Sequence, residues 1–154
     1  MPWEQRIELD FQRGERGMDQ ITVRAAFDQV KPVMDLVNAK LAELFCSEQV
    51  RVHVNVAIDE IFGNIVQYAY DPEGGPVTVR VEMEDDPLCV VITFIDHGVP
   101  YDPLSAEFAD TLHMPAKERP IGGLGLFMVK RIMDNISYTY RDGKNILTIR
   151  KKII

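Results

Sequence analysis

The chain has 154 residues, a length that suits one domain with a buried core. It carries 17 Lys and Arg residues against 24 Asp and Glu residues, for a formal net charge of −7, and no basic stripe interleaved with aromatic residues, which argues against a nucleic-acid partner. No secretory segment leads the chain, and its longest apolar run, 88–95, is too short to span a bilayer. We therefore expect a cytoplasmic protein with no membrane partner.

The N-terminal part of the chain divides into an extension and the start of a domain. Residues 1–17 are polar and arginine-rich with little periodicity, which predicts an extension without regular structure before one domain over 18–154. Alternation of apolar and polar residues over 19–25 predicts a first strand. Asp28 is the predicted N-cap of a first long helix, in which Lys40 is the only polar member of the apolar face.

The middle of the chain predicts a helix followed by a hairpin. Apolar residues at helical spacing over 47–70 predict a second helix, which ends at a strong turn signal in 71–75. The alternating segment 76–84 and the apolar segment 88–95 then predict two antiparallel strands.

The C-terminal part predicts a long loop and a closing αββ unit. Residues 96–121 have no sustained period and contain four prolines, which favours a functional loop such as a lid. A third helix is predicted over 123–134, and strands over 137–141 and 146–151. This order predicts an α+β two-layer sandwich, with a mixed, mostly antiparallel sheet and helices on one face.

Glu60 and Asn64 form the first candidate site. They are four residues apart on the second helix, so both lie on one face of it. On an ordinary helix such a pair is solvated surface. This helix is mostly apolar, however, so a carboxylate and an amide on it need partners. A magnesium nucleotide would supply them, because an amide oxygen suits Mg²⁺ and a carboxylate can accept a hydroxyl proton.

Two glycine-containing segments could complete a site. Asp96 and Gly98 follow the apolar strand, either as a plain turn or as a carboxylate that binds the exocyclic amine of adenine. Gly122, Gly123 and Gly125 open the third helix, either as a tight turn or as an anion cradle of backbone amides. The second segment is neither a P-loop nor a dinucleotide fingerprint.

Together these segments resemble the ATP-binding fold of the GHKL superfamily. Segment 57–70 is similar to its N box, 96–103 to its first glycine box and 118–126 to its second. The likeness covers about residues 18–152 and is closest to the anti-sigma-factor serine/threonine kinase branch. It implies a Bergerat-type ATP-binding sandwich.

The resemblance also implies a role for each matching residue. Glu60 would be the general base and Asn64 the Mg²⁺ ligand, while Asp96 would hold the adenine amine. Arg119 would meet the γ-phosphate, and Gly98 would let the base approach. The implied nucleotide-binding set is Asn64, Asp96, Gly98, Arg119, Gly122, Gly123, Leu124, Gly125 and Leu126.

The chain departs from the family pattern at two positions. Tyr68 stands where close relatives often have His, and Asn145 where many have Thr. The implied function is an ATP- and Mg²⁺-dependent kinase that phosphorylates an anti-sigma antagonist protein and regulates transcription by partner switching. A sigma factor is a further implied partner, and the chain is expected to form a homodimer. The alternatives are an ATP/ADP-sensing binding module without efficient phosphotransfer and an α+β interaction domain without a nucleotide.

Overall fold

The computed structural model describes residues 10–13, 18–70, 73–104 and 123–153. These ranges form one antiparallel sheet and three α-helices. The strands are β1 (Asp10–Arg13), β2 (Asp19–Arg24), β3 (Pro76–Glu84), β4 (Cys89–Asp96), β5 (Asn135–Arg141) and β6 (Lys144–Lys152). The helices are α1 (Val30–Glu43), α2 (Glu48–Tyr68) and α3 (Gly123–Ile132).

The sheet has the order β1-β2-β3-β4-β6-β5. Each neighbouring pair of described strands is antiparallel. The sequence predicts a mixed, mostly antiparallel sheet, and the described strands include no parallel pair. Alternate residues of β3 are buried, because one face of the sheet packs on the helices and the other carries polar pairs such as Thr93 with Thr148. Most of the buried apolar residues of sheet and helices form one core cluster.

The register places Asp96 at the end of an inner strand of the sheet. This last residue of β4 lies opposite Val77 on one side and Asn145 on the other. Asn145 belongs to β6 because the hairpin before it turns through only Asp142 and Gly143, with φ values of 55° and 75°. The sequence predicts a longer turn that includes Asn145, and this part of the prediction is wrong.

The start of α1 also differs from the expectation. Residues Phe27–Gln29 form a 3₁₀ turn, so α1 begins at Val30 with Gln29 at its N-cap and no side-chain cap. Asp28 therefore lies within the 3₁₀ turn, where it forms an exposed ion pair with Arg24. The predicted N-cap role of Asp28 is wrong, because the extra turn precedes the helix.

The extension predicted over 1–17 contains a short strand. The four residues of β1 pair with β2 from Asp10 opposite Thr22 to Arg13 opposite Asp19. Because an edge strand needs only backbone hydrogen bonds from its neighbour, it forms here without an apolar period of its own. None of the described helices is both long and apolar enough to cross a membrane.

Candidate functional site

Asp96 and Asn145 form a buried polar pair at the end of β4. Asp96 is 5% exposed and Asn145 is 6% exposed. Asn145 Nδ2 donates to Asp96 Oδ1 at 2.9 Å, and the backbone N–H of Gly98 donates to the same oxygen at 2.9 Å. Among the described residues none donates to Oδ2, so this oxygen is the one that a ligand in the adjoining pocket can reach.

The charge of Asp96 is costly in this position. Burial raises the pKa of its carboxyl group above the ordinary value, and the hydrogen bonds from Asn145 and Gly98 oppose this shift. A ligand that donates a hydrogen bond to Asp96 would therefore satisfy a charge that the fold keeps away from water.

Asn145 also anchors the segment that follows β4. Its Nδ2 donates to Val99 O at 2.9 Å, and its Oδ1 accepts from the backbone N–H of Tyr101 at 3.1 Å. The hydroxyl of Tyr138 donates to the same Oδ1. One amide thus holds Asp96 and the following loop together. The sequence gives no sign of this role, which depends on the register of β4 with β6.

Gly98 is required by a close approach of two backbones. A Cβ atom at this position would lie 2.1 Å from Ala69 O, at the C-terminal end of α2. The next residue, Val99, donates its N–H to the same carbonyl at 3.0 Å. The resemblance implies that Gly98 admits the base, and the structure adds that only glycine fits between this loop and α2.

Tyr70 links the start of β3 to the segment that follows β4. Its hydroxyl donates to Pro76 O at 2.6 Å and accepts from the backbone N–H of His97 at 2.7 Å. Burial raises the pKa of Tyr70 to about 12, so it stays a neutral donor. A Cβ atom at Gly75 would lie 2.3 Å from the Tyr70 ring, so this glycine makes room for the ring.

A mostly apolar pocket opens beside Asp96. Its polar members are Asn64, Asp96, Asn145 and three tyrosines, and Tyr68 stacks on Tyr101 with ring centroids 5.5 Å apart. The apolar walls come from α2, β4, the loop after it, α3 and β6. They are Ile61, Ile65, Ala69, Phe94, Val99, Pro103, Leu126 and Leu147.

Glu60 lies in a second groove, directly against α3. A Cβ atom at Gly125 would lie 1.8 Å from Glu60 Oε2. The carboxylate therefore rests on the first turn of α3, in the space that a side chain at position 125 would fill. Burial raises the pKa of Glu60, and the neighbouring charge of Asp59 raises it further. The structure thus brings the first and third sequence motifs into contact.

Asn64 joins the pocket and the groove. Its side chain lines both concavities and is 8% exposed. Its Nδ2 is buried without a hydrogen-bond partner among the described residues. The described residues that line the groove are Phe27, Val30, Asp59, Glu60, Phe62, Gly63, Asn64, Gln67, Gly125 and Met128. The unpaired Nδ2 is a donor between two adjoining concavities, so it suits an acceptor oxygen of a ligand, and the amide oxygen stays available to a metal ion.

The described residues contain no cluster of three or more His, Cys, Asp or Glu side chains that could hold a metal. A Mg²⁺ ion held by Asn64 would therefore take its other oxygen ligands from phosphate groups and water, as is usual for this ion.

The remaining predicted site residues divide into two groups. Gly123 and Leu124 begin α3, and Leu126 is buried in the wall of the pocket. Arg119 and Gly122 lie outside the described residues.

Comparison with known proteins places the chain in a family. A profile of the histidine kinase-like ATPase domain matches residues 23–151. The serine/threonine-protein kinase BtrW of Bordetella bronchiseptica is 31% identical over 103 residues, which cover 67% of this chain and 71% of that protein. The serine-protein kinase RsbW of Bacillus cereus is 30% identical over 97 residues, which cover 61% of this chain and 59% of that protein.

A solved structure supports the fold. The RsbU and RsbW domains of a Mycobacterium tuberculosis protein superpose with a TM-score of 0.63 at 18% identity, covering 92% of this chain and 34% of that one. The predicted α+β fold and the family resemblance are confirmed. The chain belongs to the histidine kinase-like ATPase domain family.

Proposed function

We propose that the chain binds ATP with Mg²⁺ and transfers the γ-phosphate to a serine or threonine of a small antagonist protein. The observation that carries this proposal is the contact of the Glu60 carboxylate with the first turn of α3, one helical turn from the buried Asn64. This arrangement puts a base beside a helix N-terminus, where phosphate groups bind.

The apolar pocket suits the adenine ring. Adenine is flat and largely apolar, and its exocyclic amine is a hydrogen-bond donor. The pocket offers apolar walls and the Oδ2 atom of Asp96, while Asn145 holds the carboxylate in place. A base with an acceptor at that position would leave Asp96 unpaired, so the site favours an amino-substituted purine.

The groove suits the phosphate chain. Because Asn64 lines both spaces, it would hold Mg²⁺ between the nucleoside and the acceptor. The ion would supply neutralisation of the phosphate charge. The amides at the start of α3, from Gly123 to Leu126, would hold phosphate oxygens. The roles of Arg119 and Gly122 stay predictions.

The proposed transfer step uses Glu60 as the base. The acceptor hydroxyl oxygen forms a bond to the γ-phosphorus while the bond from that phosphorus to the β–γ bridging oxygen breaks, and ADP leaves. The hydroxyl proton moves to the Glu60 carboxylate. The raised pKa of Glu60 makes it a stronger base than an ordinary carboxylate. Its contact with Gly125 aims it at the phosphate end of the site.

The names of the relatives support a protein substrate. BtrW and RsbW are named serine/threonine- and serine-protein kinases. By this likeness we propose that the acceptor is an anti-sigma antagonist, that a sigma factor is the alternative partner, and that the chain acts as a cytoplasmic homodimer.

Transfer of labelled phosphate from ATP to small proteins encoded near this gene tests the proposal. We expect Glu60→Gln to lower the transfer rate about 10²- to 10⁴-fold, because it removes the base, while its ATP affinity stays near wild type. Asp59→Asn is the matched control: it neutralises the adjacent carboxylate, which contributes less than burial to the raised pKa of Glu60, and should lower transfer only a few-fold. Equal transfer by Glu60→Gln and wild type would refute the role of Glu60. Nucleotide binding without any transfer by the wild type would instead favour an ATP/ADP-sensing module.

A further inference from the structure

The groove that contains Glu60 has an apolar rim. Phe27 lies on one side, just before α1, and Met128 lies on the other, on α3. Phe27 is 59% exposed and Met128 is 47% exposed. Burying a thioether or an aromatic ring against a partner is favourable, because it removes apolar surface from water. Methionine also adapts to side chains of different shape.

The rim is held close to Glu60. Phe27 rests against α2 at Gly63, where a Cβ atom would lie 3.8 Å from Phe27 Cε1. Gly63 is three residues after Glu60, so the ring lies on the helix face that also carries the carboxylate. Met128 is three residues after Gly125, the residue that contacts Glu60. Both apolar side chains therefore line the same groove as the Glu60 carboxylate.

The described residues that line the groove carry negative charge. Asp59 and Glu60 contribute carboxylates, and the described residues that line the groove include no Lys or Arg. The phosphate chain of ATP would enter this groove with Mg²⁺ and meet the amides of α3, whereas acidic side chains of a protein segment would meet only these carboxylates and be repelled. A neutral or basic segment would be accepted.

These observations concern the acceptor rather than the nucleotide. Resting on the kinase function proposed above, we propose that this rim docks the segment of the substrate protein that carries the acceptor hydroxyl. Apolar side chains next to the acceptor serine or threonine pack on Phe27 and Met128, and the segment around them carries neutral or basic residues. Phe27 and Met128 are thus specificity-determining residues, and Glu60 receives the proton between them.

Kinetics with the acceptor protein that the wild type labels test this proposal. Phe27→Ala and Met128→Ala should each raise the KM for that protein about tenfold, while kcat and the Kd for Mg-ATP change less than about twofold. Phe45→Ala is the matched control, because Phe45 is 93% exposed but does not line the groove. It should leave every constant unchanged.

Mapping of the phosphorylated residue gives an independent test. We expect an apolar residue adjacent to it or two positions away. Replacing that residue with Asp should raise the KM of the wild type, and should raise it less in Phe27→Ala, because the two sites are coupled.

The outcomes separate the docking proposal from the kinase function. Transfer by the wild type with an unchanged acceptor KM in both rim variants overturns the docking proposal and leaves the kinase function standing. A higher Kd for Mg-ATP in the rim variants would mean that the rim binds the nucleotide. A molar mass in solution that differs between the rim variants and the wild type would mean that the rim contacts a second copy of the chain. Either result overturns the proposal. If the wild type transfers phosphate to no protein, the kinase function fails, and the docking proposal fails with it.

Discussion

At the scale of single residues, the site depends on two glycines that allow close contacts. Gly98 allows the loop after β4 to approach the carbonyl of Ala69, and Gly125 allows the carboxylate of Glu60 to rest on α3. The obstacle differs between the two positions. At Gly98 it is rigid backbone, whereas at Gly125 it is the end of a flexible side chain. A methyl group at Gly98 would therefore disturb the fold, and one at Gly125 would displace the base.

Gly125→Ala should separate activity from stability. The new methyl group would push the Glu60 carboxylate away from α3, so we expect the transfer rate to fall at least about tenfold. Alanine is a better helix former than glycine, so the free energy of unfolding should stay equal or rise by up to about 1 kcal/mol. Transfer kinetics and urea unfolding measure the two quantities.

A second substitution controls for the cause. Adding Glu60→Asp to Gly125→Ala shortens the acid by one methylene and makes room for the methyl group. We expect the double variant to transfer phosphate faster than Gly125→Ala. If Gly125→Ala slows Glu60→Asp as much as it slows the wild type, the methyl group acts on something other than the Glu60 side chain.

The residues of the site were predictable to different degrees. The helical spacing of Glu60 and Asn64 is enough by itself to place both side chains on one face of α2. Their contact with α3 is not predictable in this way, because it joins segments about sixty residues apart. The role of Asn145 depends on a two-residue turn that shifts it from the loop into β6.

At the scale of secondary structure, local periodicity predicted the long elements and failed at the short ones. The apolar faces of α1 and α2 and the alternation in β3 are strong patterns, and α2 and β3 lie close to their predicted bounds. β1 and the 3₁₀ turn at Phe27–Gln29 are too short to show a period. Their positions are set by the neighbours on which they pack, β2 and α1.

The polar residue on the apolar face of α1 joins that helix to the sheet. Lys40 Nζ lies 3.3 Å from Asp19 Oδ2, with Lys40 5% exposed and Asp19 7% exposed. We expect Lys40→Met to cost about 3–5 kcal/mol of unfolding free energy, because it leaves the Asp19 charge buried and unpaired. Asp19→Val should cost less, because Lys40 Nζ keeps the exposed Glu43 carboxylate at 3.4 Å. The double variant should be more stable than either single variant, which a double-mutant cycle in urea would measure.

An exposed pair on the same helix provides the control. Lys31 Nζ lies 2.9 Å from Asp35 Oδ2, closer than the buried pair, but both side chains are solvent-exposed. Its removal should cost less than about 1 kcal/mol. Equal costs for the two pairs would mean that burial does not decide the strength of the Lys40 interaction.

At the scale of the whole molecule, ligand binding should couple the sheet to the helices. The pocket takes residues from α2, β4, α3 and β6, which are far apart in the chain. A ligand that binds only the folded state stabilises all of these elements together. A ligand that donates a hydrogen bond to Asp96 adds to this gain, because it offsets the cost of the buried charge.

Asp96→Asn should therefore stabilise the free protein at neutral pH and lose the response to nucleotide. Because burial raises the folded pKa of Asp96 above its unfolded value, the folded state binds the proton more tightly. The contribution of Asp96 to stability is thus greatest in acid, and it declines as the pH rises from the ordinary Asp value through the raised one. The amide does not titrate, so the stability of the variant relative to the wild type should increase over that window and be constant above it.

Mg-ATP should stabilise the wild type much more than it stabilises Asp96→Asn. At a hundred times its Kd, it should add about 2.7 kcal/mol to the wild type, or roughly 5–10 °C in Tm for a chain of this size. In Asp96→Asn the amide nitrogen would replace Oδ2 and face the adenine amine donor to donor, so little shift is expected. Urea unfolding across pH and thermal unfolding with and without Mg-ATP measure both effects. An equal Tm shift in the two proteins would show that Asp96 does not bind adenine. If the stability of Asp96→Asn relative to the wild type fell as the pH rose, burial would not raise the pKa of Asp96.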